Sequence, residues 1–189
     1  MLVLVRHGQT EANARGLLLG RADPPLSELG RRQARALAAM VPSEARVVAS
    51  PLARTVETAA AFGRDIDVDE RWIELDYGTL DGRPLGDVPA EVWQAWRSDV
   101  HFVPGGGESL AALGVRVRAA CDDLLEEARD RDVIVVSHVS PIKAALAWTL
   151  GAGDEASWRM FVQVASVARV GVGPWGPSLR TFNETPTVE

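Results

Sequence analysis

The chain has 189 residues, 47% of them hydrophobic and 24% charged, and a formal net charge of −6. That length suits one domain with a sizeable core, and the acidic balance argues against general affinity for nucleic acid or anionic membranes. The single cysteine, Cys121, excludes an internal disulfide and any multi-cysteine metal site.

Residues 2–5, LVLV, read as a short buried strand. The loop through Asp23, Pro24 and Pro25 ends at Ser27, which caps a helix expected over about 28–41, with Leu29, Ala36, Leu37 and Met40 inward. RVVAS, 46–50, is a second strand, and Pro51 breaks it into a helix near 52–62. Residues 66–68 form a brief edge strand, and 72–82 are irregular. Pro89 suits the first position of a short helix that shares Val88, Val92 and Trp96 on one face. VPGGGES, 103–109, is a loop closed by Ser109, the cap of a helix with Leu110, Leu113, Val117, Cys121, Leu124 and Ala128 in one stripe. DVIVVSH, 132–138, is a buried strand, followed by a helix from Pro141 to about Leu150 and strands near 166–172 and 178–182.

Strands alternating with helices indicate an α/β protein, a three-layer α/β/α sandwich around a mostly parallel sheet. Residues 1–189 are expected to form one domain, with 78–109 packed over one end of the sheet as a lid. No apolar run reaches membrane-spanning length, and Met1 leads into a strand without a leader pattern, so a cytoplasmic protein without membrane or nucleic-acid partners is expected.

Ligands of open α/β sheets bind beyond the carboxyl ends of the strands. Three strands here end in chemistry: LVLV in Arg6-His7, VVAS in Ser50-Pro51-Leu52-Ala53-Arg54, and VIVVS in His138. Arginines offer planar forks of donors that match phosphate oxygens, and a neutral imidazole attacks phosphorus and leaves again. The first strand therefore presents a nucleophile beside a guanidinium that can hold the anion under attack.

RHGQTEAN with Asn13, SPLART with Arg54, WIELDYGTLDG with Glu74 and VVSHVSPIK with His138 resemble, in order, the motifs of the histidine phosphatase superfamily, which includes cofactor-dependent phosphoglycerate mutases. The resemblance runs from the first strand to about residue 145 and implies roles. His7 is the nucleophile that becomes phosphohistidine, and Arg6, Arg54, Asn13 and His138 bind the phosphoryl oxygens. Glu74 protonates the leaving alkoxide and then takes a proton from water. Thr10 and the backbone N–H of Val139 add donors, and the following helix aims its positive end at the anion. Neither a metal nor a cofactor is implied, and the substrate is a small phosphomonoester. Asp76, Asp81 and Glu70 lie close enough in sequence to compete with Glu74 for the acid role.

Other residues have ordinary readings. His101 is a surface histidine in the lid, Cys121 an inert buried thiol, and Arg31, Arg32 and Arg35 a solvated face. Trp93 and Trp96 could floor a substrate pocket, although that spacing is commoner in core packing. Trp72, Trp148, Trp158 and Trp175 indicate nothing specific.

Mutase and phosphatase share a first half-reaction, and mutases of this kind carry a lysine and a paired arginine for the substrate carboxylate. Here Leu85 stands where the lysine aligns, Arg97 is unpaired, and Ala12 replaces a usual tryptophan. The PGGGES loop and VSHVSPIK resemble instead the compact phosphatase branch that includes α-ribazole phosphatases. Its lid here is apolar around Val88, Val92, Trp93, Trp96, Phe102 and Val103, which suits a leaving group with hydrophobic surface, while Arg83 and Arg97 offer an alternative site for a second anionic group. A binding module without turnover is the reading from another class; the complete set of nucleophile, acid and phosphate donors opposes it. Oligomeric state is not encoded in any of these motifs.

Overall fold

Leu2, Val3, Leu4 and Val5 cannot share one face of a strand, because successive side chains alternate, yet all four are buried. Both faces of the sheet must therefore be covered. The structure, a computed structural model, describes residues 1–188. Strand β1 (Leu2–Arg6) lies between β4 (Val133–Ser137), parallel, and β5 (Val167–Gly173), antiparallel. With β2 (Arg46–Ala49), β3 (Ile66–Val68) and β6 (Gly176–Glu184) the six-stranded order is β3-β2-β4-β1-β5-β6. Four strands are parallel, and β5 and β6 form an antiparallel edge hairpin around Pro174 and Trp175.

Leu2, Leu4, Val48, Val133 and Val135 pack on one side against α5 (Leu110–Asp130) and α6 (Val139–Thr149) through Leu113, Val117, Ile142 and Leu146. Val3, Val5, Val47, Ala49, Ile134 and Val136 pack on the other, against Leu37 of α2 (Glu28–Leu37) and Ala59 of α3 (Ala53–Ala60). Each such aliphatic side chain contributes about 1.5–3 kcal/mol by leaving water. The three layers expected from the alternation are present, as is the edge strand at 66–68.

Several boundaries differ from expectation. Helix α2 stops at Leu37 rather than near 41, because Ala38, Ala39 and Met40 donate to carbonyls three residues back and Val41 precedes Pro42, where α geometry is disfavoured. The helix expected over 52–62 spans 53–60 and tightens through similar bonds from Phe62 and Gly63. Pro89 caps α4 (Ala90–Ser98) from outside instead of opening it. Helix α6 begins at Val139, with His138 as its cap, two residues before Pro141; proline fits there because first-turn N–H groups have no helical partner. The short helix α1 (Glu11–Ala14) had no sequence expectation; a reciprocal cap forms it, Asn13 N donating to Thr10 Oγ1 and Thr10 N to Asn13 Oδ1. The irregular stretch near 72–82 holds 3-10 turns at Glu70–Trp72 and Gly78–Leu80. Ser27 and Ser109 cap α2 and α5 as expected, accepting from Gly30 N and Ala112 N.

Candidate active site

Register builds the site. In the parallel pairing Arg6 lies opposite Ser137, and Ala49 opposite Val136. The next residues, His7, His138 and Ser50, thus emerge side by side at the carboxyl edge. Backbone bonds fix them there: His7 N donates to Ser137 O at 3.1 Å and Ser50 N to Val136 O at 3.0 Å. The two imidazole centroids are 5.2 Å apart at 61°.

His7 is 2% exposed, and its Nδ1 lies 2.7 Å from its neighbour Gly8 O. A carbonyl only accepts, so Nδ1 carries the proton and Nε2 keeps a lone pair. Burial, followed by the charges of Arg54 and Arg6, holds the imidazole pKa well below its ordinary value, so the ring is neutral at pH 7. The loop behind it is anchored by Gly8 N, which donates to Thr58 Oγ1 at 3.0 Å. A Cβ on Gly8 would stand 2.4 Å from Gly30 O, so only glycine lets this loop meet the start of α2.

Arg54, expected at the site, is completely buried. Nη1 donates to Ala22 O and Nη2 to Gly20 O, both at 2.8 Å, and Nε donates to Nδ1 of His138 at 3.2 Å. The carbonyls come from a loop whose amides, Gly20 N and Ala22 N, both bind the Asp81 carboxylate at 2.8 Å. His138 Nε2 then carries the other tautomer's proton, donated to Ser50 Oγ at 2.7 Å. Burial and the neighbouring cations depress the His138 pKa as well, and Arg54 is itself lowered by burial. Arg6 is partly buried; Nη1 donates to Val162 O at 2.7 Å, and its buried Nε has no acceptor among the described residues.

Glu74 is 2% exposed, and burial raises its pKa against the opposing pull of its hydrogen bonds and of Arg54 and Arg6. Oε1 accepts from Leu75 N at 2.7 Å and from Ser140 N, in the first turn of α6, at 3.3 Å. The competing carboxylates are differently placed. Asp81 is committed to the 20–22 loop, Asp76 Oδ1 accepts from Gly78 N at 2.8 Å, and Glu70 is exposed. Asn13 turns Oδ1 to Thr10, leaving its amide N–H groups available, and no side chain caps the N-terminus of α6 at Val139. The structure thus gathers Arg6, His7, Arg54, Glu74 and His138 into one buried cluster.

Sequence reasoning missed the residues that position Glu74. Arg21 Nε donates to Glu74 O at 2.9 Å, and Arg116 Nη2 reaches the same oxygen at 3.3 Å while Arg116 grips Glu108 through two bonds of 2.8 Å. The glycine run before Glu108 has a steric reason: a Cβ on Gly107 would lie 2.1 Å from Asp76 O. Ser50 and Glu108 stood inside quoted motifs, yet nothing local marks either as a partner of a distant side chain.

Beside Glu74 lies a pocket of about 150 Å³ lined by Tyr77, Trp93, Trp96, Ser140, Lys143 and Trp158, among others. Trp93 and Trp96 stack at 5.4 Å, and Trp158 meets Trp96 edge-on at 5.3 Å. Trp93 and Trp96 thus both pack on each other and line this pocket. Trp158 does have a specific place, which its isolated sequence position concealed. Arg97 lies over the Trp158 ring at 5.5 Å. His101 is exposed and Cys121 buried, its thiol pushed up by desolvation. Among the described residues no helix is long and apolar enough to cross a membrane, and no three His, Cys, Asp or Glu side chains gather as a metal-holding group.

Comparison with known proteins gives a consistent pattern. The model of the histidine phosphatase superfamily (branch 1) matches residues 2–185. The bifunctional protein Rv2228c of Mycobacterium tuberculosis is 36% identical over 177 residues, covering 88% of this chain and 49% of that protein, so the chain spans about half the length of such curated relatives. A probable phosphoglycerate mutase GpmB of Yersinia enterocolitica is 35% identical, covering 91% of this chain and 86% of the relative. Mycobacterial glucosyl-3-phosphoglycerate phosphatase Rv2419c, solved in complex with VO3, superposes with TM-score 0.87 at 30% identity over 97% of this chain and 98% of that one. A putative α-ribazole-5′-P phosphatase from Escherichia coli gives TM-score 0.84 at 29% identity over 100% and 98%.

Proposed function

Because the chain belongs to branch 1 of the histidine phosphatase superfamily, we propose that it hydrolyses small phosphomonoesters through a phosphohistidine on His7, without a metal. The observation that carries this reading is the His7 tautomer: a buried, neutral imidazole with its proton committed to Gly8 O and its Nε2 lone pair free, set among guanidinium groups.

In the first half-reaction Nε2 forms a bond to phosphorus as the ester P–O bond breaks. The departing alkoxide takes the proton of Glu74, whose raised pKa favours the protonated carboxyl. The free N–H groups of Arg6 and Arg54, the Asn13 amide and the uncapped start of α6 at Val139 face the oxygens on which charge accumulates, with Thr10 holding Asn13 in place. His138 lends Arg54 its orientation and meets the phosphoryl group when Ser50 releases Nε2–H. In the second half-reaction the Glu74 carboxylate takes a proton from water, water oxygen bonds to phosphorus and the N–P bond breaks. The net change is ester plus water to alcohol plus phosphate. Residues 78–109, which carry Trp93 and Trp96, act as the lid of a single domain.

The test is phosphate release in the presence of chelator, with an alkaline denaturing quench to trap a phosphoprotein that is base-stable and acid-labile. Release and trapping by the unaltered protein, both lost in His7→Ala, are expected. Undiminished release by His7→Ala would remove the nucleophile assignment. Mutase activity has less support: an exposed Leu85 stands where the lysine aligns, and Arg97 lies over the Trp158 ring.

A further inference from the structure

Lys143 is the only lysine in a sequence whose other cations are arginines. It follows His138 by one turn and a half of α6, is half-buried, and lines the aromatic pocket. No hydrogen bond or ion pair from the described residues satisfies its ammonium; the charges that reach it are those of Glu74 and Arg6. The half-buried ammonium has given up part of its hydration without gaining a partner, and that desolvation lowers its pKa. When Glu74 is protonated, as the acid step requires, Lys143 loses the one anion among the described residues that acts on it.

The pocket around it is shaped for a flat body. Trp93 and Trp158 stand at 86° to one another, Trp96 meets Trp158 at 87°, and Tyr77 closes the wall on Trp96 at 5.5 Å. Its volume, about 150 Å³, is about that of engineered cavities that accept benzene. The pocket touches the reaction centre, because Ser140 both lines it and donates its N–H to Glu74. A leaving group protonated by Glu74 has this space beside it.

We propose that the pocket receives the leaving alcohol, that this alcohol carries a single ring and an anionic group, and that Lys143 pairs with that group while the indoles hold the ring. This rests on the hydrolase reading above and adds a substrate class to it: ring-bearing phosphomonoesters with a carboxylate or comparable anion on the alcohol side. Lys143 is a specificity-determining residue in this scheme and takes no part in phosphoryl transfer.

The experiment compares benzyl phosphate, 4-carboxybenzyl phosphate and 3-phosphoglycerate, whose leaving groups are all alkoxides, on the unaltered protein, Lys143→Met and Lys143→Arg. For the unaltered protein kcat/KM should favour 4-carboxybenzyl over benzyl phosphate by about tenfold or more, the scale of one charge-assisted hydrogen bond. That ratio should fall toward one in Lys143→Met, mainly through KM, and recover in part in Lys143→Arg. A ratio near one in the unaltered protein, or a ratio that survives in Lys143→Met, overturns the role of Lys143. Turnover of 3-phosphoglycerate as efficient as that of 4-carboxybenzyl phosphate overturns the ring.

A second readout is independent of turnover. Amine-directed acylation of His7→Ala protein, read by peptide mass, should modify Lys143, and 4-carboxybenzyl phosphate should protect it where benzyl phosphate does not. If the unaltered protein releases phosphate from none of the three esters, the hydrolase reading fails; protection of Lys143 in the same series would still uphold the anion site, and equal labelling with either ester would overturn it.

Discussion

Arg54 donates through Nε to Nδ1 of His138 at 3.2 Å, so a cation fixes the tautomer of a buried imidazole. The bond is possible because His138 is neutral, and it leaves Nε2–H for Ser50 Oγ at 2.7 Å. A chain of donors therefore runs from Arg54 through His138 to Ser50, and each member comes from the carboxyl end of a neighbouring strand or the helix after it.

Ser50→Ala tests that chain. It strands the His138 Nε2–H in a buried site, which costs about 1–3 kcal/mol of stability. It also lets the ring turn away from Arg54, so kcat/KM should fall by about tenfold or more, with Ser50→Thr restoring part of both. Urea unfolding and steady-state kinetics on the same samples check this; a variant equal to the parent in both would show that the bond positions nothing.

Glu74→Gln separates the acid from its neighbours. An alkyl phosphate needs its alkoxide protonated, whereas nitrophenolate leaves without help. We expect kcat/KM to drop by about 10²–10⁴ on the alkyl ester, the usual range for a general acid, and by less than about tenfold on nitrophenyl phosphate. Phosphohistidine hydrolysis also needs Glu74, so nitrophenyl phosphate should give a burst of nitrophenolate followed by slow turnover. Equal losses on both esters would move the acid role elsewhere, with Asp76 first in line.

Stability should fall below about pH 6.5. His7 and His138 have folded pKa values well below the ordinary one, so the unfolded chain binds more protons as pH drops through 6.5. Their contribution is complete above the unfolded pKa and declines by up to about 1.4 kcal/mol per pH unit for each ring. Glu74 acts in the opposite sense, because its raised pKa contributes stability at low pH that is lost as pH rises through the folded value. Two groups outweigh one, leaving a net loss of the order of 1 kcal/mol per pH unit between 6.5 and 5.5. Urea midpoints at pH 7.5, 6.5 and 5.5 should decline, and His7→Gln should flatten the decline. A parent curve that is level or rises toward acid would contradict the assignment of both rings as neutral.

Much of the fold is legible because its signals are local. The unbroken apolar runs LVLV and VIVV read as strands covered on both faces, and Ser27 and Ser109 cap helices through bonds spanning three residues. Glycine, proline and capping residues punctuate these elements, so their order and the three-layer class follow from near neighbours alone. The placement of His7 and His138 at strand ends follows from the same local reading.

Helix ends were less legible. Proline at 141 marked a start that His138 makes two residues earlier, because a backbone turn, not the ring of proline, sets the first helical residue. Residues 11–14 carry too few apolar positions to show a helical period.

The sequence by itself determined the composition of the cluster: two strand-end histidines, arginines for an anion, and an acidic residue in the WIELDYG segment. Only the tertiary structure decided how these meet. The SPLART motif marks Arg54 for the site, but its burial and orientation come from Gly20, Ala22 and Asp81, more than twenty-five residues away on either side, which close over it. Glu74 stands apart from Asp76 and Asp81 because Arg21 and Arg116 grip its backbone and α6 presents Ser140 N–H to its carboxylate. Trp158 and Lys143 share a pocket with Trp93 although fifty residues or more separate them from it. Composition and periodicity report on residues within a turn or a strand of one another; burial, pKa and partnership are set by what the folded chain brings close, and those distances exist only once the sheet has its register.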